Sequence, residues 1–224
     1  MGSYDSQSKS MAKAAKAIEN RIEKMVKPNK PQNKRILKFK SIGYLEKNVH
    51  SLIRIEEGVL RSDFRELFSY PIIEVRFTDK IILEGRNKTG KTTFVEALYN
   101  KGVAGYYSPD LSIAYFKQNI RNLDDELSIL ENVMSTSAQD KKTIINLIAK
   151  TGIAYEKINC KVKYLSGGEK VKVSLVKVLS CDANLLILDE PTNFLDLVAL
   201  EAVEEFLNSY KGAFILISHD SYLL

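Results

Sequence analysis

The chain has 224 residues, 45% hydrophobic with 11 Gly, which suffices for one substantial core and does not resemble a disordered composition. The net charge of +5 is unevenly spread: residues 1–50 carry 12 Lys/Arg against 4 Asp/Glu, and the remainder carries 21 against 24. No apolar run approaches the roughly 20 residues that span a bilayer, and Met1 leads into a polar, Ser-rich stretch rather than a secretory core, so the expectation is a cytoplasmic protein without membrane insertion.

Met1-Gly2-Ser3 is read as an appended remnant outside the fold. Met11, Ala14, Ala15, Ile18, Ile22, Met25 and Val26 then recur at helical spacing, with Lys13, Lys16, Arg21 and Lys24 off that stripe, until Pro28 and Pro31. This basic amphipathic helix is either a solvated face on a packed helix or a contact to nucleic acid. Residues 1–34 are therefore set apart as a tail, and residues 35–224 as one domain. Arg35 to Phe39, Leu52 to Ile55, Ile72 to Phe77 and Lys80 to Glu84 read as strands, and Thr92 to Tyr99 as a helix. Tyr107 to Lys117 is a turn and strand ending at Gln118. Asp124 to Ile153 reads mostly helical, with Leu127, Leu130 and Val133 on one stripe, inside a helical insert at about 119–164. Gly168 to Leu179 forms another helix, while Asn184 to Leu188 and Ala213 to Ile217 are apolar runs of the kind buried in parallel sheets. This alternation predicts an α/β domain. Cys160 and Cys181 are too few for a disulfide framework and lack metal-ligand spacing, so both are read as reduced structural thiols.

Gly85-Arg86-Asn87-Lys88-Thr89-Gly90-Lys91-Thr92 reads G-x-x-x-x-G-K-S/T between a β-rich run and a helical one. In such a loop Gly85 and Gly90 let backbone N–H groups, from Asn87, Lys88 and Thr89 on to Thr93, curl around phosphate. Lys91 reaches the outer phosphates and Thr92 offers a hydroxyl to Mg2+. The phosphate lies at a helix N-terminus, where the dipole and free N–H groups favour anions. ATP with Mg2+ is the expected ligand. Asp189-Glu190 follows a buried strand, at the end where open α/β sheets bind ligands. Asp189 is assigned to hold Mg2+, directly or through water, and Glu190, on the other side of the strand, to activate or orient the attacking water. The plainer alternative is a pair that only caps a strand, which Pro191 and the upstream loop disfavour. Gln118 ends a strand and either reaches metal and water through its amide or is structural. His219, after the run ending at Ser218, is placed to donate to the γ-phosphate as charge develops. Ser218-His219-Asp220 is not a nucleophilic triad, because successive strand residues point to opposite faces.

In chain order, the loop at 85–92, Gln118, Leu165-Ser166-Gly167-Gly168-Glu169, the carboxylates at 189 and 190, the stretch 193–196 and His219 resemble the nucleotide-binding domains of the ATP-binding-cassette (ABC) superfamily over residues 35–224. The resemblance implies a P-loop NTPase fold with a mixed or parallel sheet core, an antiparallel β part and a small helical subdomain. It also implies that Ser166, Gly167 and Gly168 contact the γ-phosphate of ATP held by a facing domain, so that hydrolysis needs two domains. The facing domain is a first ABC domain of the same longer chain or, in isolation, a second copy.

Asp189-Glu190-Pro191-Thr192-Asn193-Phe194-Leu195-Asp196, Glu169-Lys170 and the short insert before Leu165 resemble the ABC-F branch, whose members act on ribosomes through two such domains joined by a helical linker. The basic helix before Pro28 then corresponds to the end of that linker, with the ribosome and its RNA as partners. Phe194 and the loop Arg86-Asn87-Lys88-Thr89 are similar to the antibiotic-resistance members that protect ribosomes. The alternatives are the nucleotide-binding subunit of an ABC membrane transporter and a chromosome-maintenance or DNA-repair ATPase. The chain departs from the family at Lys88 and Thr89, where small residues are usual, and at Ser221, where ABC-F members commonly have Arg. Phe64 and Phe68 are both candidates for the adenine-stacking aromatic. The family fold is expected to continue for a strand and a helix beyond Leu224.

Overall fold

A computed structural model describes residues 51–62, 65–117, 122–193 and 195–218. The expected tail, the strand at 35–39, Phe64, Gln118, Phe194, His219 and Ser221 lie outside the described residues.

The two most apolar runs form the centre of the fold. Leu185–Asp189 (β8) and Ala213–Ile217 (β9) are buried at every position, as strands covered on both faces must be. They sit inside a four-stranded sheet of order β5-β9-β8-β7, with Lys80–Leu83 (β5) and Ile113–Phe116 (β7) at its edges. All three pairings are parallel. Ile53–Ile55 (β1) pairs antiparallel with both Ile73–Val75 (β4) and Gly105–Tyr107 (β6) in a separate three-stranded sheet. Gly58–Ser62 (β2) and Arg65–Tyr70 (β3) form an antiparallel hairpin with an irregularity at Leu60/Arg61. The α/β class with a parallel core and an antiparallel part is thus as expected. The β2–β3 hairpin is an addition, because its half-exposed strands alternate too weakly to stand out.

Alternation along β8 divides the core. Leu185 and Ile187 face one apolar cluster with Phe94, Val95 and Leu98 of helix Lys91–Tyr99 (α1) and with the antiparallel strands. Leu186 and Leu188 face the other, built with Val171, Leu175 and Val178 of Gly167–Leu179 (α4) and Val203, Phe206 and Leu207 of Leu197–Ser209 (α5). Helix α5 was not among the expected elements, although Asp196 caps it and Ala199, Val203, Phe206 and Leu207 repeat at helical spacing.

The region expected to be mostly helical from 124 to 153 contains two short helices, Ile129–Met134 (α2) and Lys141–Lys150 (α3). The break has a chemical cause in small polar side chains that bond the backbone locally. The Ser135 hydroxyl donates to the Asn132 carbonyl at 2.8 Å, and the Ser137 hydroxyl accepts from the Gln139 N–H at 2.9 Å. Each helix then restarts on its own cap, Ser128 with Glu131 for α2 and Asp140 for α3. Ile129, Val133, Ile144, Ile148 and Val162 are almost fully buried in this helical part.

Candidate nucleotide site

Strand β5 runs into the loop 85–90, and α1 leaves it at Lys91. Gly90 is the N-cap, left-handed at φ 100°, and no side chain caps the helix. The first N–H groups of α1 therefore point from the helix end without an internal acceptor, the arrangement that receives anions. Only glycine fits at 90, since an added Cβ would meet Leu67 Cδ1 at 2.8 Å as well as taking a disfavoured φ. Lys88 is also left-handed, at φ 64°. The Lys91 ammonium donates to the carbonyls of Gly85 (2.6 Å) and Arg86 (2.9 Å), and the Thr89 hydroxyl donates to the Arg86 carbonyl at 2.9 Å. These bonds hold the loop as a ring around its own lysine.

A cavity of about 450 Å³ opens on this loop. Asn87, Lys88, Gly90, Lys91, Thr92 and Thr93 form one wall. Ser62 and Leu67 of the hairpin form another, and Glu190 and Asn193 a third. Gly85 and Thr89 belong to the same loop through the bonds just described. Ser62 and Leu67 were not expected in the site, because the hairpin that carries them was not anticipated. The Phe68 ring packs against Tyr70 and Phe94 at centroid distances of 6.5 and 5.7 Å, as a core residue does.

Asp189 ends β8 and is only 3% exposed, with Oδ1 lacking a hydrogen-bond partner among the described residues. Burial raises its pKa above the ordinary carboxylate value, and the Thr92 hydroxyl opposes that rise. Among the described residues no group of three His, Cys, Asp or Glu could hold a metal. A buried carboxylate beside a threonine hydroxyl does suit Mg2+, which completes its shell from substrate phosphate and water. Glu190 lies just past the strand at φ 51°; its N–H donates to the Ile217 carbonyl at 2.9 Å, and its own carbonyl accepts from the Asn193 N–H at 3.2 Å. Its place in the cavity wall thus comes from a left-handed turn instead of strand alternation.

Ser166, Gly167 and Gly168 are not in this cavity's wall. Ser166 caps α4 through a reciprocal box with Glu169: its hydroxyl accepts from the Glu169 N–H at 3.3 Å, and the carboxylate accepts from the Ser166 N–H at 2.9 Å. Lys157, then the Ser166 donors, hold the Glu169 carboxyl down to about 2. A Cβ built on Gly167 or Gly168 would meet nothing within 4 Å. Their glycine identity therefore answers to no packing demand within the described residues.

The profile of the ABC transporter family matches residues 73–193. The chain is 32% identical to the erythromycin resistance ATP-binding protein MsrA of Staphylococcus epidermidis, over 95% of this chain and 43% of that protein. It is 31% identical to the ribosome protection protein VmlR of Bacillus subtilis, over 71% of this chain and 30% of that one. It is 30% identical to ABC transporter F family member 5 of Arabidopsis thaliana, over 94% of this chain and 32% of that one. The chain spans less than half the length of each of these relatives. No helix among the described residues is long and apolar enough to cross a membrane. With the phosphate-loop geometry and the Asp189-Glu190 strand end, these matches establish that the chain belongs to the ABC transporter family of ATP-binding proteins and is of the ABC-F type.

Proposed function

We propose that this chain binds Mg2+-ATP on the loop at 85–93 and hydrolyses it when a second ABC domain faces it. We assign it to an ABC-F ribosome-associated protein that confers antibiotic resistance by ribosome protection. The observation that carries the nucleotide reading is the meeting of Lys91, Thr92 and Glu190 in one cavity at the uncapped N-terminus of α1. The loop N–H groups and Lys91 hold the phosphates. Thr92 and Asp189 are the ligands offered to Mg2+, joined by Gln118; the metal when bound neutralises charge on the β- and γ-phosphates. Glu190 orients a water in line with the γ-phosphorus and takes its proton as the bond to the bridging oxygen breaks, and His219 donates to the γ-phosphate.

Ser166 with the Gly167 and Gly168 N–H groups acts on the nucleotide of the facing domain. Support comes from their absence from the cavity wall of their own chain and from the open space over both glycines. The facing domain is the first ABC domain of a longer chain, or a second copy when this chain is alone. The ribosomal part of the reading is supported by what VmlR and MsrA are called: ribosome protection and erythromycin resistance proteins. Closure on ATP and opening after hydrolysis would pass motion to the ribosome-facing linker.

Glu190→Gln in the full-length protein tests both parts. ATP binding is expected to persist, turnover to stop, and salt-sensitive co-sedimentation with ribosomes to increase. Unchanged turnover would remove Glu190 from the reaction. Co-purification with a membrane protein in place of the ribosome would favour a transporter subunit.

A further inference from the structure

Two buried polar atoms near the proposed magnesium position lack partners among the described residues: the Tyr115 hydroxyl and Asp189 Oδ1. Leaving such atoms unmatched is costly, on the order of 1–3 kcal/mol each, so a structure that retains both calls for an explanation. The strand register brings them to the same place. In the parallel pair β7–β8, Tyr115 stands opposite Ile187 and shares its face of the sheet. Asp189, two residues on, is on that face again. Two residues of strand advance about 6.6 Å, close to the reach of a tyrosine side chain leaning along the strand.

The ring has little freedom to turn away. Tyr99 of α1 packs against it at a centroid distance of 5.3 Å. The Lys117 ammonium sits 4.9 Å from its centroid and is itself tied to Glu96 of α1 at 3.0 Å. The helix that begins with Lys91 and Thr92 thus holds the tyrosine ring directly through Tyr99 and, by way of Lys117, through Glu96.

We infer that Tyr115 is a positioning residue for the metal side of the site, its phenol donating to Asp189 Oδ1 so that the other carboxylate oxygen is turned toward the cation. This rests on the Mg2+-ATP reading above. The phenol does not touch nucleotide; it fixes the ligand that does the work, as outer-shell donors do at metal sites.

Tyr115→Phe removes only the hydroxyl and keeps the ring beside Tyr99 and Lys117. ATP affinity of the chain is measured in excess EDTA and again with Mg2+, for the parent, Tyr115→Phe, Asp189→Asn and the double variant. The parent is expected to gain affinity with Mg2+. Tyr115→Phe should keep its EDTA affinity within about twofold and lose about tenfold of the Mg2+-dependent gain, the lower end of outer-shell effects. In the Asp189→Asn background the second substitution should change nothing further. An undiminished Mg2+ gain in Tyr115→Phe would overturn the inference. So would an equal loss with and without metal, which marks a packing role, or a further loss in the Asp189→Asn background. A parent that binds no ATP at all would instead overturn the nucleotide reading, and this inference with it.

Discussion

The Lys172 ammonium lies 2.6 Å from Asp196 Oδ2, joining the helix capped by Ser166 to the helix capped by Asp196. The lysine is nearly buried, at 9% exposure, while the aspartate carboxylate stays largely in solvent. Asp196 serves both helices, because Oδ1 accepts from the Ala199 N–H at 3.0 Å as the cap of α5. Asp196→Asn keeps an oxygen for the cap but removes the charge facing Lys172; Asp196→Ala removes both. Thermal midpoints should fall in the order parent, Asp196→Asn, Asp196→Ala. An Asp196→Asn variant as stable as the parent would show that the ion pair contributes nothing.

Lys88 holds a backbone conformation that L-residues avoid, at φ 64°, in the wall of the cavity. Left-handed backbone costs a side-chain-bearing residue about 1–2 kcal/mol. Replacement by glycine should return about 1 kcal/mol of that, after glycine's greater entropy in the unfolded chain is deducted. The same change removes a cation from the cavity wall, so stability should rise and, on the proposed nucleotide reading, ATP affinity should fall. Denaturant melts and nucleotide titrations on Lys88→Gly check the two signs separately. A variant with unchanged ATP affinity would make Lys88 only a strained loop residue.

The phosphate loop was legible because its determinants are local: two glycines, a lysine, an apolar strand before and a helical run after. The sheet core was legible for a related reason, since strands buried on both faces announce themselves as unbroken apolar runs. Glu190 reached the cavity wall by another route than sequence periodicity suggested. Its φ of 51° takes it off the strand, and nothing in Asp189-Glu190-Pro191 marks a left-handed turn. Ser62, Leu67 and Tyr115 were hidden because they join the site through pairings distant in sequence. The first two arrive on a hairpin with weak alternation, and the third through the register of β7 on β8. Short polar residues such as Ser135 broke the helical insert in a way that an apolar stripe does not reveal.

The box that starts α4 should be resistant to acid. Glu169 is held down to about 2 by Lys157 and by the Ser166 donors. Its folded value is below its unfolded one, so its contribution is complete above the ordinary carboxylate range near 4.5 and fades as pH falls toward about 2. Glu169→Gln retains a capping oxygen but cannot ionise. The stability difference between parent and Glu169→Gln should therefore be constant from neutral pH to about pH 5 and shrink steadily below it. Urea melts across that range measure it, and a difference independent of pH would mean that the charge is not used.

Asn132 is fully buried at 0% exposure in the helical part, where an apolar side chain would be the default. Its amide instead ties the chain ahead of α2 to the helix. Oδ1 accepts from the Asp124 N–H at 2.8 Å, and Nδ2 donates to the carbonyls of Asp124 at 2.8 Å and Ser128 at 3.1 Å. Asp124 and Asp125 precede the segment whose Glu126 pairs with Lys161 and Lys163, just before Ser166. Loosening this amide knot should therefore disturb the approach to α4 as well as α2. Asn132→Leu nearly preserves volume but leaves the Asp124 N–H and carbonyl without partners, at about 1–3 kcal/mol for each group that stays buried. Asn132→Asp keeps an acceptor for the Asp124 N–H and loses the donors while burying a charge, so it should be at least as damaging near neutral pH. Amide hydrogen exchange at residues 124–132 is expected to rise by about tenfold or more in both variants, matching a local loss of at least 1.4 kcal/mol. Protection retained in Asn132→Leu would mean that the surrounding packing, and not the amide, holds this segment in place.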